Sequence, residues 1–240
     1  MSSEDKIKIL VVDDSDIIRF SLKNFFGDYN FEVITCTDGL EGIQKAQEHK
    51  PSIIFLDLMM PNLDGVKMLQ VIKMIEELKK IPVIVISGNT NRTNVLASIE
   101  AGADRVMSKP LQKEIIIKNV TELLGPGFLQ RARKAKTFSN AETNEIRKKL
   151  VGLFLKSYPV KKETILEALE RNDKDSLRFI VHEFKGAGSS IGYPQLTVIG
   201  GIIEDQLGGA VINWEQIKNM CNQIFKIVNE IEESISEIEK

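Results

Sequence analysis

Three short runs in the first half of the chain are apolar at almost every position: "IKILVV" at 7–12, "SIIFLD" at 52–57 and "PVIVIS" at 82–87. A strand that is apolar on both faces must be covered on both, the condition met by a parallel sheet with helices on either side. Two more β-branched runs, "FEVITC" at 31–36 and "DRVMS" at 104–108, bring the set to five. The stretches between them carry helical stripes. Ile17, Ile18, Leu22, Phe25 and Phe26 form one, and Val66, Leu69, Ile72 and Met74 form another. Strands alternating with amphipathic helices predict an α/β doubly wound domain. Its last helix is expected at 112–124, closed by "GPG" at 125–127.

From residue 141 the strand signals vanish. Ile146, Leu150, Leu153 and Phe154 form one helical stripe, and Pro159 is expected to open a second helix bearing Ile165, Leu166 and Leu169. "NDKD" at 172–175 supplies N-cap candidates for a third. Pro194 suits the first turn of a fourth. Trp214, Ile217, Cys221, Ile224, Val228, Ile231, Ile235 and Ile238 step by three and four without a break, as a bundle seam does. Between the halves, 128–140 carries Arg131, Arg133, Lys134 and Lys136 without an acid and reads as a solvated linker. The expected organisation is an α/β domain at 1–124, a linker at 125–140 and an all-α helical bundle at 141–240.

With 240 residues, 42% of them hydrophobic, each half is long enough for its own core. A formal net charge of −2 gives no nucleic-acid signature. Cys36 and Cys221 are far apart, lack metal-ligand spacing and read as reduced, packed residues. The opening "MSSEDKIKILVVDD" has no apolar signal region, and no apolar run is long enough to span a membrane, so a cytoplasmic protein without membrane insertion is expected.

Open parallel sheets bind ligands beyond the carboxyl ends of their strands. There stand Asp13 and Asp14 after the first strand, Asp57 at the end of the third, Ser87 at the end of the fourth, and Lys109-Pro110 after the fifth. If the strand order is 2-1-3-4-5, the first and third strands are neighbours and three carboxylates converge. Like charges that close repel unless a cation joins them, and hard oxygen ligands suit Mg²⁺. A lysine and a hydroxyl on the adjacent strands fit the oxygens of a transferring phosphoryl group. Asp57 is then the nucleophile, forming an acyl phosphate.

These residues, with the segment "DLMMPNLDG" at 57–65 and Ser87-Gly88, resemble the receiver domain of two-component response regulators over about 6–124. The resemblance implies a flavodoxin-like fold with a five-stranded 2-1-3-4-5 sheet. It implies that Asp57 accepts phosphate from a phosphohistidine. Mg²⁺ would be held by Asp14, Asp57 and the carbonyl of Met59, with Asp13 assisting through water. Ser87 and Lys109 would touch the phosphoryl group, and Lys109-Pro110 would be cis. Many receivers carry Tyr or Phe three residues before the lysine; here that position is Val106.

The second half holds one of only two histidines, in "HEFKGAGSSIG" at 182–192. Leu177, Ile180, Val181, Phe184 and Ile191 share an apolar face, with Ala187 or Gly188 at the same spacing. His182 lies about 160–200° from Ile180 and Phe184, on a face with Arg178, Lys185, Gly186 and Ser189. The imidazole is therefore expected on an exposed polar face, free to act as a nucleophile, with Lys185 one turn on to pair with phosphoryl oxygens. Gly186 leaves room for a visiting loop, Gly188 serves helix packing, and Gly192 ends the helix. His49, beside Pro51, reads as a surface loop residue. His182, Lys185, Gly186, Gly192 and Leu196 resemble the histidine phosphotransfer (HPt) domain over about 141–240. That implies a phosphohistidine at His182, docking of a receiver near Gly186 and Ser189, and no nucleotide site.

Together these expectations describe a phosphorelay protein whose Asp57 is loaded from a sensor histidine kinase. His182 passes phosphate to or from an upstream or downstream receiver aspartate. No glycine-rich nucleotide box follows the first half, so a kinase is not expected, and no helix-turn-helix stands out. A monomer or a weak dimer through the far end of the last helix is expected. Two rivals stand beside this reading. One is a non-catalytic docking adaptor. The other is a haloacid-dehalogenase-like phosphatase built on Asp14-x-Asp16, which needs a later acidic pair where "PLQKE" follows Lys109 instead.

Overall fold

A computed structural model describes residues 7–27, 29, 31–60, 65–88, 92–126, 128 and 140–238. The chain divides into two compact units, Met1–Ala141 and Glu142–Lys240. The first unit runs β1 (Lys8–Val12), α1 (Asp16–Gly27), β2 (Glu32–Cys36), α2 (Gly39–His49), β3 (Ile53–Asp57), α3 (Gly65–Met74), β4 (Val83–Ser87), α4 (Arg92–Glu100), β5 (Arg105–Ser108) and α5 (Lys113–Leu124). All neighbouring strands are parallel, in the order β2-β1-β3-β4-β5.

The alternation of side chains along each strand divides the core into two layers. Ile9, Val11, Ile53, Phe55, Ile84 and Ile86 face Ile18, Leu22 and Phe26 of α1 and Ile116 and Val120 of α5. Leu10, Val12, Ile54, Leu56, Val83 and Val85 face Ala46 of α2 and Met68, Leu69 and Ile72 of α3. Both faces of the sheet are covered, and β3 and β4 are buried at every position. In α3 the inward stripe is Gly65, Met68, Leu69 and Ile72, while Met74 is 83% exposed. Met74 lies two residues past Ile72, about 200° around the helix, and so points away from the stripe. His49 closes α2 rather than standing in a loop, with Lys50 left-handed behind it. Beyond α5, Phe128 stacks on Phe31 with ring centroids 4.7 Å apart. The basic residues of the expected linker, Arg131 to Lys136, lie outside the described residues.

The second unit runs α6 (Asn140–Arg171), α7 (Lys174–Ile191), α8 (Pro194–Leu207) and α9 (Trp214–Ile238). Pro159 does not open a helix; it lies inside the 32-residue α6. The reason is packing. Leu150, Val151, Phe154, Tyr158, Ile165 and Ala168 are all buried, so one stripe continues in phase through the proline. The Phe184 ring of α7 meets Phe154 and Tyr158 edge-on, at 5.6 and 6.4 Å. The proline sits on the exposed side, where it leaves the Leu155 carbonyl without its usual N–H, at about 3 kcal/mol. Leu166, expected on the stripe, is 45% exposed, one position past Ile165.

The other punctuation holds. Asp173 caps α7 by accepting from the N–H groups of Asp175 and Ser176, and Pro194 occupies the first turn of α8. Gly192 ends α7 at φ 87° in the left-handed region, and Arg147 of α6 donates to the carbonyls of Ile191 and Gly192 there. Ile217, Cys221, Ile224, Val228 and Ile231 of α9 are fully buried. Burial pushes the Cys36 and Cys221 thiols up to about 12, so both are inert packed groups.

Replacing Pro159 with alanine restores the missing bond without touching the stripe. We expect Pro159→Ala to stabilise the helical unit by about 1–3 kcal/mol, read as an upward shift of its urea midpoint by circular dichroism.

Candidate functional site

Among the described residues, each unit gathers one cluster of buried charge. In the first, the backbone sets the place. The parallel register puts Val12 of β1 beside Leu56 of β3, so the next residues, Asp13 and Asp57, leave adjacent strands together. Asp57 pairs with Ile86 of β4, and Ser87 with Ser108 of β5, so Ser87 and Lys109 emerge at the same edge. Lys109-Pro110 is cis, and the Lys109 N–H donates to the Ser87 carbonyl at 2.8 Å.

Asp13 and Asp57 are fully buried, Ser87 and Lys109 are buried and Asp14 is half-buried. Lys109 Nζ lies 2.5 Å from Asp57 Oδ2 and 3.1 Å from Asp13 Oδ2. Asp57 Oδ1 accepts from the Met59 N–H at 3.1 Å. Asp13 Oδ1 accepts from the Ser15 N–H at 2.9 Å and so also tethers the start of α1. Gly65 makes the close approach possible: a Cβ there would stand within 3 Å of the Asp57 carbonyl group and Leu58 Cα. Burial pushes the Asp13 carboxyl up to about 6; Lys109 pulls it back and the Asp57 charge adds to the rise. Burial works against the Lys109 ammonium, but Asp13 and Asp57 outweigh it and hold its pKa above the ordinary lysine value. Oxygen atoms of Asp13, Asp14 and Asp57 lie within 4.8 Å of one another, a hard-oxygen set of the kind that holds a divalent cation.

The second cluster corrects an expectation. His182 is not exposed: it is 4% accessible, because α8 packs against the face that carries it. Two glycines bring the helices together. A Cβ on Gly188 would stand 2.6 Å from Thr197 N, and one on Gly200 would stand 2.9 Å from the Val181 carbonyl and 3.0 Å from Lys185 N. Glu204, one turn beyond Gly200, then faces the histidine. Its Oε1 lies 2.6 Å from His182 Nδ1 and its Oε2 2.7 Å from Lys185 Nζ. Burial pushes Glu204 up, but the hydrogen bonds and charges of His182 and Lys185 outweigh it and hold the carboxyl below its ordinary 4.5.

A carboxylate on Nδ1 makes that nitrogen the N–H donor and leaves the lone pair on Nε2. Nε2 is buried without a hydrogen-bond partner among the described residues. Of the two expected docking residues, Gly186 is buried. Ser189 is tied through its N–H and hydroxyl to Thr197 Oγ1 at 2.9 and 3.1 Å. Glu204 was missed from the sequence; the signal was Gly200, four residues before it.

The response regulator receiver domain model matches residues 9–121 and the Hpt domain model residues 149–239. Protein PilG of Pseudomonas aeruginosa is 34% identical over 113 residues, 47% of this chain and 84% of PilG. The transcriptional regulatory protein PrrA of Mycobacterium tuberculosis is 34% identical over 57% of this chain and 55% of its own length. SrrA of Staphylococcus aureus, also a transcriptional regulatory protein, is 35% identical over 49% of this chain and 47% of its own. The chain thus spans about half the length of PrrA and SrrA. Among solved structures, the chemotaxis response regulator CheY4 of Vibrio cholerae aligns at 28% identity and a TM-score of 0.47, over 49% of this chain and 98% of that one. The receiver domain of sensor histidine kinase PA1611 from P. aeruginosa, with a coordinated magnesium ion, aligns at 19% identity and 0.47, over 50% and 98%.

The depressed Glu204 carboxyl has a pH signature. Its contribution to stability is fully present above pH 4.5 and is lost as pH falls through its lower folded value. Glu204→Gln should lower the stability of the helical unit at pH 7 by about 1–3 kcal/mol and flatten its decline below pH 4.5, as measured by urea titrations at a series of pH values.

Proposed function

The chain belongs to the response regulator receiver family and carries an Hpt domain in the same polypeptide, and on that premise we propose a two-site phosphorelay. A receiver at 1–124 is charged on Asp57. A linker at 125–140 follows, and a bundle at 141–240 carries phosphate on His182. The two domains support a role in phosphorelay signal transduction. The observation behind the residue roles is the pairing in each unit of one reactive group with a buried counter-charge: Asp57 with Lys109, and His182 with Glu204.

In the first step an Asp57 carboxylate oxygen forms a bond to phosphorus as the phosphorus–nitrogen bond of a donor phosphohistidine breaks, and the bonding pair stays on the donor nitrogen. Lys109 stands against Asp57 Oδ2 and turns toward the phosphoryl oxygens as the carboxylate charge is consumed. Ser87 lies at the same edge and donates to another of them. The carboxylates of Asp14 and Asp57 and the carbonyl of Met59 would hold Mg²⁺, with Asp13 beside them. When bound, the ion supplies neutralisation of the phosphoryl charge.

In the second step the Nε2 lone pair of His182 forms a bond to phosphorus as the acyl phosphate's oxygen–phosphorus bond breaks, and the carboxylate departs with the pair. The proton on Nδ1 stays against Glu204, whose charge balances the ring cation. The same step run backwards loads an aspartate from His182. Since Nε2 is buried in this conformation, transfer includes an opening that exposes it. Glu204 is a positioning residue: it fixes which nitrogen is free. The partners are a sensor histidine kinase and a receiver aspartate, either Asp57 or that of another protein, with the chain acting in the cytoplasm as a monomer or weak dimer.

Labelling tests the assignment. With a phosphorylated donor, the wild-type chain should yield an acid-stable, base-labile acyl phosphate and an acid-labile phosphohistidine. Asp57→Ala should lose the first, His182→Gln the second, and chelation of divalent cations should suppress label on Asp57 by about 10-fold or more. Label retained on the double variant would sink the assignment.

A further inference from the structure

Resting on the relay reading, we propose that Arg178 is the residue that binds the phosphoryl group carried by His182, a role the sequence pattern had assigned to Lys185. Lys185 is already engaged. Its Nζ lies 2.7 Å from Glu204 Oε2, and Glu204 is 3% accessible, so moving Lys185 away would strip a buried carboxylate of its lysine counter-charge. Arg178 differs. It is half-buried, its Nε is buried, and that nitrogen has no hydrogen-bond partner among the described residues. A desolvated guanidinium nitrogen without an acceptor is costly, and an anion relieves it.

Position points the same way. Arg178 and His182 are four residues apart on α7 and so lie one above the other on a single face. Side chains of an α-helix lean toward its N-terminus, so the imidazole of residue 182 overlies the turn that carries residue 178. Nδ1 is turned to Glu204, and the free nitrogen, Nε2, is the second buried polar atom here that lacks a partner. One event satisfies both. When the Nε2 lone pair bonds to phosphorus and the donor's bond to phosphorus breaks, the new phosphoryl oxygens are acceptors beside a guanidinium fork whose geometry matches them.

Phosphoramidate phosphorylates histidine without a kinase, and its ammonia leaves with the nitrogen–phosphorus bonding pair. It can therefore be applied to the intact wild-type chain. The readout is the Arg178 Nε–H resonance in a ¹H–¹⁵N spectrum, assigned by its loss in Arg178→Lys. Phosphorylation should move that resonance downfield and slow its exchange with water by about 10-fold or more. A ³¹P titration gives a second reading: the phosphoryl group should ionise about 0.5–1 pH unit higher in Arg178→Gln than in wild type. An unmoved Arg178 resonance on a chain shown by ³¹P to carry phosphohistidine at residue 182 would overturn the role of Arg178 and leave the relay standing. So would a phosphoryl ionisation that shifts in Lys185→Gln and not in Arg178→Gln. A chain whose His182 takes no phosphate would remove the relay reading and this inference together.

Discussion

Lys109 Nζ stands between two fully buried carboxylates, 2.5 Å from Asp57 and 3.1 Å from Asp13, and the first unit is arranged around keeping it there. Without that cation the parallel register would still deliver Asp13 and Asp57 side by side, in a buried place where like charges repel. Even with the cation in place, burial, with a smaller addition from the Asp57 charge, lifts the Asp13 carboxyl. The sheet order puts β1, β3, β4 and β5 next to one another, and the chain reaches Lys109 directly from β5. Gly65 keeps the start of α3 from colliding with the backbone of Asp57 and Leu58.

The helical unit answers the same problem with the charges reversed. There a buried carboxylate, Glu204, is held by two cationic or proton-donating groups, His182 and Lys185. The close approach of α7 and α8 across Gly188 and Gly200 makes this contact, and in the proposed relay it also decides the chemistry. A glutamate on Nδ1 selects the ring nitrogen that stays free. Close helix packing thus becomes tautomer choice, and tautomer choice becomes nucleophile choice.

Much of this was legible in the sequence because it depends on period and on strand ends. Five strand-like runs, three of them apolar at almost every position, pointed to the parallel sheet, and the polar residues at their ends marked Asp57, Ser87 and Lys109, while the strand order came from the resemblance to receiver domains. The unbroken step from Trp214 to Ile238 gave α9. What escaped depends on which element covers a face. A helical wheel puts His182, Lys185 and Ser189 on one polar face, yet it cannot say that α8 lies against it, so His182 was expected to be exposed. Glu204 looks like any surface glutamate until Gly200 is seen to bring its helix close. Local preference makes Pro159 a boundary, but the stripe runs in phase from Leu150 to Ala168 and holds one helix through it.

The central claim is that the buried Glu204 leaves Nε2 of His182 as the nitrogen that carries phosphate. The most direct measurement is a ¹⁵N–³¹P correlation spectrum of the phosphorylated chain with its histidines labelled. The account predicts phosphorus coupled to Nε2 of His182, with Nδ1 retaining its proton. Phosphorus coupled to Nδ1 would contradict it.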